Sequence, residues 1–323
     1  MLYHCATAAQ ARSDCPRGPD GTGIGFGVCH DLSSTILEHV AENLNKHLSK
    51  LSKRGPHRVL VGDLNYAGIP GKVYTPAEGN GLPGVAFGHD WMKSIRFYHQ
   101  TLRHLASWGI VVAAPDTEKG FMPSHRGLAA DLESCLQILA GVKLGAGNAT
   151  VSPQKLGVAG HGMGAGAAIL ASANRTTVKA VGAIFPAPTS PSARDAARSV
   201  QAPGLVIGAA KNGFLEAGDP AKIAANWAGP VCYRELDNLN QQGFSEDTVF
   251  KLMVGIGRPQ TSGQETVRGL LTGFLLHQLA GNKKYSGFSD PDAVARKVHS
   301  YWGAELRERA NPQEDSPLAF MNR

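Results

Sequence analysis

The chain has 323 residues, of which 39 are glycine and 18% are charged, and its formal net charge is +6. This length is ample for one large α/β domain, and the composition is that of a compact protein with many tight turns. Because the lysines and arginines are scattered and no apolar run reaches 18 residues, neither nucleic-acid binding nor a membrane span is expected.

The chain begins with a glycine-rich, irregular segment, residues 1–30, which is interpreted as a flexible leader. An amphipathic helix is predicted next, at about residues 35–53 within the segment 31–56, and Thr35 with Glu38 fits a capping box at its start. Its apolar residues recur at three- and four-residue spacing: Ile36, Val40, Leu44, Leu48 and Leu51. Such a stripe most often packs on the domain's own core, and docking on a partner or a membrane surface is the alternative.

Between residues 57 and 282 short apolar runs alternate with helical stretches. The predicted strands are Arg58–Leu64, Gly71–Thr75, Gly84–Phe87, Ile110–Ala114, Lys155–Ala159, Val178–Ile184, Gly204–Gly208 and Val231–Leu236. The predicted helices lie near Ser94–Ser107, Arg126–Ala140, Gly164–Ala173, Asp219–Trp227 and Gln264–Ala280. This alternation implies a mostly parallel sheet of eight strands with helices on both faces. Residues 283–323 are expected to form a polar extension with a short helix near Asp292–Tyr301.

The five cysteines are an odd number, and they form no C-x-x-C pair or zinc pattern. They are Cys5, Cys15, Cys29, Cys135 and Cys232. This usage favours free thiols in a reducing compartment, and the N-terminus lacks the apolar core of a secretory signal. A cytoplasmic location is therefore predicted, with an organelle such as a plastid as the open alternative.

The most informative motif is Gly160-His161-Gly162-Met163-Gly164, which lies between a predicted strand and a tightly packed helix. Strand, sharp turn and helix form the setting of the G-x-S-x-G nucleophile elbow, in which the central side chain attacks a carbonyl carbon. The central residue here is Gly162, and a glycine has no atom that can serve as the nucleophile.

Three further segments carry a resemblance together with this elbow: Val85–Asp90, His104–Asp116 and Arg126–Leu132. In their order and spacing they resemble the dienelactone-hydrolase-like branch of the α/β-hydrolase superfamily, which includes cutinase-related polyester hydrolases and the chlorophyllases. The likeness extends from about Leu60 to Ala280. It implies an α/β-hydrolase fold with a mostly parallel, eight-stranded sheet and helices on both faces.

The resemblance also implies where a catalytic triad would lie. It assigns the serine position to Gly162, the acid to Asn212, and the histidine to Gln241, or to Asn240 if the register slips by one. Three coordinated neutral replacements indicate natural loss of the hydrolytic machinery. They are also electrostatically consistent, because a buried aspartate without its imidazolium partner would be an uncompensated charge.

The oxyanion hole, by contrast, is built from main-chain N–H groups, so the resemblance implies that it persists. Its donors would be the N–H of Asp90 or Trp91 and the N–H of Met163. We expect a pocket lined by Trp91, Met163, Phe185 and Phe214, with its floor enlarged by the glycine at the elbow. Such a pocket suits an apolar, carbonyl-bearing or acyl-type ligand.

Two histidines could supply other chemistry, although each also has a structural interpretation. His161 is expected to point into the fold, and His89 with Asp90 follows the third strand, where such residues are common for backbone reasons. No Walker, G-x-G-x-x-G or H-E-x-x-H pattern occurs, so no cofactor or metal is predicted.

Three functions follow from these residues. The first is a hydrolase-fold protein without hydrolytic activity that binds an apolar ligand or a partner. The second is an enzyme of altered mechanism, such as a lyase, cyclase or isomerase. The third is an ester or lactone hydrolase whose active residues lie elsewhere or whose serine was mutated.

Overall fold

The computed structural model of the chain describes residues 44–210, 218–246 and 260–311, and across these ranges nine strands form one sheet. The strands are β1 Val59–Asp63, β2 Gly71–Pro76, β3 Gly79–Gly88, β4 Val111–Pro115, β5 Ala149–His161, β6 Val181–Ile184, β7 Gly204–Ala209, β8 Val231–Leu236 and β9 Val298–Tyr301. The helices are α1 at residues 44–51, α2 His99–Ser107, α3 His125–Gly141, α4 Met163–Ser172, α5 Ala193–Ala196, α6 Pro220–Ala225, α7 Gln241–Phe244, α8 Thr261–Gln278 and α9 Gly303–Ala310.

The strand order across the sheet is β1-β2-β4-β3-β5-β6-β7-β8-β9. Neighbours from β4 through β3 to β8 are parallel, while β1, β2 and β9 join antiparallel. Apolar core residues lie on both sides of the sheet, so strands such as β4 are buried throughout, which explains why their sequences do not alternate. The predicted fold class is confirmed, with one strand more than expected.

The additional strand lies where a short helix was predicted, near Asp292–Tyr301, and that prediction is wrong. Residues Val298–Tyr301 instead pair antiparallel with β8, with Val298 opposite Leu236. The open edge of β8 offers unpaired main-chain N–H and C=O groups, and pairing with them outweighs the weak helical pattern of the segment. Helix α9 begins only at Gly303.

A buried arginine fastens this C-terminal segment to the sheet. Arg234, on β8, donates from Nη1 to the carbonyl of Ala293 at 3.0 Å and from Nη2 to the carbonyls of Gly287 and Asp290 at 3.1 and 3.0 Å. Burial lowers the pKa of Arg234, and the carbonyl oxygens offset part of the lost hydration. The segment therefore packs on the sheet through directional polar contacts.

Helices α1, α2 and α8 pack on one face of the sheet, and α3, α4, α6 and α9 pack on the other. The described part of the predicted amphipathic helix buries Leu44, Leu48 and Leu51 in the first of these cores. The predicted leader and the predicted capping box lie outside the described residues. Among the helices of the described ranges, none combines the length and apolar character needed to cross a membrane.

Candidate active site

The strand–turn–helix that centres on Gly162 has the geometry of a nucleophile elbow. β5 ends at His161, Gly162 adopts φ +55° and ψ −118°, and α4 begins at Met163. Residues with a side chain adopt this backbone region at a cost of about 1–3 kcal/mol, whereas glycine enters it freely. A Cβ on Gly164 would overlap the main chain of Gly88, so a glycine there lets the elbow approach β3 closely.

The carboxyl group of Asp90 occupies the space in front of this elbow. Asp90 follows β3, is 5% exposed, and accepts hydrogen bonds at Oδ1 from the N–H of Trp91 at 2.8 Å and the N–H of Met163 at 2.9 Å. A Cβ built on Gly162 would overlap the same carboxyl group. The two main-chain donors of the predicted oxyanion hole thus converge on one oxygen atom that the chain itself supplies.

This geometry distinguishes between the two candidate donors named from the sequence. The N–H of Trp91 points at Oδ1, whereas the N–H of Asp90 donates to Oη of Tyr98 at 3.1 Å. The expectation that Gly162 enlarges a pocket is wrong, because the Asp90 carboxyl group fills the space that a side chain at 162 would take.

Gln241 reaches the same carboxyl group from the loop after β8. It lies at the start of α7 and donates from Nε2 to Oδ2 of Asp90 at 3.2 Å. Asn240, the alternative position for the family's histidine, turns its side chain to its own helix and accepts from the N–H of Gly243 at 2.9 Å. Of the two residues, the structure brings Gln241 to the elbow.

His161, which precedes Gly162, points into the fold. Its Nδ1 lies 2.8 Å from Oη of Tyr98, and its Nε2 lies 3.0 Å from the carbonyl oxygen of Gln241. The ring also packs against Phe244, with the centroids 5.0 Å apart, and its Nδ1 is 4.0 Å from Oδ2 of Asp90. The imidazole therefore joins the β5 end, the loop after β8 and the segment before α2 into one buried polar cluster.

The model of the PET hydrolase-like family matches residues 50–222, which is more than half of the chain. The chain belongs to the PET hydrolase-like family. The match contains the elbow and Asp90, and it ends before Gln241. No curated protein matches the chain.

In this PET hydrolase-like chain, His89 contacts main-chain oxygens with both ring nitrogens. Its Nδ1 lies 2.9 Å from the carbonyl of Asp90 and its Nε2 lies 2.7 Å from the carbonyl of Thr117, and the ring is fully buried. These contacts tie the loop after β3 to the loop after β4. They place His89 as a support of the loop that carries Asp90 and Trp91.

The residues predicted to line one apolar pocket lie in different environments. Met163 and Phe185 are buried, and Phe185 stands edge-on to His161 with centroids 6.1 Å apart. Trp91 is 45% exposed and contacts Phe121, its Nε1 donating to the Phe121 carbonyl at 3.1 Å. Asn212 and Phe214, the remaining predicted positions, lie outside the described residues.

The cavity that borders Gln241 is polar rather than apolar. It has a volume of about 190 Å³, and its lining includes Tyr233, Glu235 and Arg309. Glu235 accepts from Oη of Tyr233 at 2.6 Å and from Nε and Nη2 of Arg309 at 2.9 and 3.1 Å. Burial, together with the hydrogen bond to Glu235, raises the pKa of Tyr233. Within the described ranges, no group of three or more His, Cys, Asp or Glu side chains could hold a metal ion.

Two features of this site were not predicted from the sequence. The first is the side chain of Asp90 as the acceptor, since only its main-chain N–H was expected to take part, as a donor. The second is Tyr98, whose hydroxyl contacts both the N–H of Asp90 and the ring of His161. The signal for Asp90 was present, because an acidic residue beside a predicted oxyanion donor is a ready acceptor for that donor.

Proposed function

We propose that this chain is a PET hydrolase-like protein that does not hydrolyse esters through a serine nucleophile. The observation that carries the proposal is the position of Asp90 Oδ1, 2.8 Å from the N–H of Trp91 and 2.9 Å from the N–H of Met163. Gly162 supplies no nucleophile, and Gln241, which contacts the same carboxyl group, has an amide where a base would be needed.

The expected loss of turnover supports a site with no useful hydrolytic activity rather than one with weak activity. Removing the nucleophile or the base of a triad costs about 10⁶ in turnover, while the remaining oxyanion hole and substrate binding give roughly 10³–10⁴ over water. That remainder requires donors that are free to meet the developing charge. With Asp90 in place, both donors already have an acceptor, and a substrate oxyanion would meet a carboxylate instead.

The proposed activity is binding, either of an apolar carbonyl-bearing ligand or of a partner. Large apolar side chains support this, since four of them are exposed on the loops that follow β3 and β4: Trp91, Met92, Phe121 and Met122. Phe121 is 73% exposed and Met122 is 90% exposed, and exposed apolar groups that cluster beside a fold's active-site edge commonly mark an interaction site.

An enzyme of altered mechanism is the second candidate, and the position of Asp90 favours it. Its buried carboxyl group is the acidic side chain at the elbow, and it would act on a substrate directly in a lyase, cyclase or isomerase reaction, because its Oδ2 lies 4.0 Å from Nδ1 of His161, beyond hydrogen-bond reach. In that case wild-type protein converts carbonyl compounds and Asp90→Asn does not. Binding without conversion in both proteins supports the first candidate.

The serine-independent character can be tested with a fluorophosphonate probe and an aryl ester, with an intact PET hydrolase as positive control. We expect no labelling and no hydrolysis by the wild-type protein. Covalent labelling of its native state would refute the proposal and favour a hydrolase with a serine elsewhere.

A reversion experiment tests the site assignment itself. The combination Asp90→Ala, Gly162→Ser, Asn212→Asp and Gln241→His should gain weak probe labelling, because it clears the oxyanion hole and restores the three triad residues. The same combination with Asp90 retained is the matched control, and we expect it to stay unlabelled. Equal labelling of both would mean that Asp90 does not block the site.

A further inference from the structure

A second cavity, of about 410 Å³, is walled by residues just after α1, by α2 and by α8. We call it the basic cavity. Its charged and titratable lining residues are Lys53, Arg54, Arg103, His104, Glu265 and Arg268. Four lysine and arginine side chains therefore face a single carboxylate. Lys53, Arg54 and Arg103 form no ion pair with another described residue, so this excess of positive charge is not neutralised within the described part of the chain.

Arg268 is the buried member of this group. It is 8% exposed, donates from Nε to Oγ1 of Thr101 at 3.1 Å, and its Nη2 lies 3.4 Å from Oε1 of Glu246. Glu246 is largely committed elsewhere, since it accepts from the N–H groups of Gln100 and Thr101, each at 2.9 Å, at the start of α2. The guanidinium is thus held in a fixed orientation by Thr101 and by its ion pair with Glu246, and its remaining N–H groups keep capacity for another acceptor.

His104 gives an independent indication that the basic cavity is built for a polar ligand. Its side chain lines the cavity, is 6% exposed, and its Nε2 has no hydrogen-bond partner among the described residues. Burial, and then the charge of Arg268, lower the pKa of His104 to about 4. Buried polar atoms without a partner are rare in folded proteins, and a bound ligand that hydrogen-bonds to Nε2 would satisfy this one.

We propose that the basic cavity binds the phosphate group of a phosphomonoester, with Arg268 and Arg103 as the principal ligands. A doubly charged oxyanion matches the charge excess of the lining better than a single carboxylate does. Guanidinium groups suit it because they donate two parallel hydrogen bonds to phosphate oxygens. The cavity is larger than a phosphate group, so the remainder of the ester lies towards Lys53 and Arg54, which are exposed. This site is separate from the elbow, and its existence does not depend on the proposed function.

The test is isothermal titration of the full-length protein with inorganic phosphate and with glycerol phosphate at low ionic strength. Arg103→Gln removes one ligand without breaking a hydrogen bond to a described residue. Arg126→Gln, an exposed residue at the start of α3, removes the same charge elsewhere. We expect saturable binding that Arg103→Gln weakens about tenfold and Arg126→Gln changes less than twofold. In the wild-type protein, phosphate should also shift the Cε1–H resonance of His104, assigned through His104→Gln.

The source of the phosphate group is distinguished with vesicles that contain either phosphatidic acid, a monoester, or phosphatidylglycerol, a diester. Binding that depends on Arg103 to glycerol phosphate, or selectively to phosphatidic acid, supports the proposal and identifies a soluble or a lipid source. Equal binding to both vesicle types overturns it, as does an equal loss in the two variants, because either result describes attraction to negative charge in general. An absence of saturable binding to every probe also overturns it.

Discussion

Replacing Asp90 with alanine measures how far its carboxyl group holds the elbow together. The substitution leaves three donors without their acceptor: the N–H of Trp91, the N–H of Met163 and Nε2 of Gln241. Each buried donor left unpaired costs about 1–3 kcal/mol, and water that enters the vacated polar space recovers part of this. We therefore expect the free energy of unfolding to fall by about 2–4 kcal/mol. For a domain of this size the melting temperature then drops by roughly 4–10 °C.

Asp90→Asn is the matched control, because an amide oxygen can still accept from Trp91 and Met163. Its melting temperature should stay within about 3 °C of the wild-type value. Formate supplies the missing group in the alanine variant, where a carboxylate-sized space faces two N–H donors. At ten times its dissociation constant, formate would stabilise Asp90→Ala by about 1.4 kcal/mol, and it should stabilise neither the wild-type protein nor Asp90→Asn in this way.

The measurement is calorimetric or fluorescence-detected thermal unfolding of the three proteins, with formate and with chloride at equal ionic strength. A melting temperature of Asp90→Ala equal to that of the wild-type protein would contradict the role assigned to Asp90. An equal rise in the melting temperature of all three proteins with formate would contradict it too, since neither result is compatible with a carboxyl group that fills the oxyanion hole.

Three further outcomes follow from the same structure. Gly162→Ser should lower the melting temperature, because a side chain at φ +55° costs about 1–3 kcal/mol and overlaps Asp90. Intact-mass analysis of this variant should find no fluorophosphonate adduct, and a labelled variant as stable as the wild-type protein would contradict the prediction. The free energy of unfolding should fall by about 3 kcal/mol as the pH drops from 6.5 towards 4, because His104 takes up a proton in the unfolded chain but not in the folded one, where its pKa is lowered to about 4. Urea unfolding of His104→Gln should show a shallower fall if His104 is the cause. Burial raises the pKa of Cys135 to about 12 and of Cys232 to about 11, so iodoacetamide at pH 8 should leave both unlabelled in the native protein and label both after unfolding, as peptide mapping would report.

Much of the fold could be predicted from local patterns. Buried strands such as β4 and β7 appear as continuous apolar runs, and the glycines around position 162 mark a turn that only small residues permit. β9 could not be predicted in this way. Val298 and Tyr301 favour a strand, but a run of four residues is too short to predict one by itself, and the segment forms a strand because the edge of β8 lies beside it.

The sequence by itself determined that no nucleophile stands at the elbow, since the identity of residue 162 settles that point wherever the side chains around it lie. Only the tertiary structure decided what fills the space. Asp90 is 73 residues from Met163 and 151 residues from Gln241. Their contacts arise because the strand order brings together the loops that follow the carboxyl ends of β3, β5 and β8. The same packing turned Gln241 rather than Asn240 towards the elbow. The direction of a side chain depends on the packing of segments that are distant in the chain, so the pattern of neighbouring residues does not predict it.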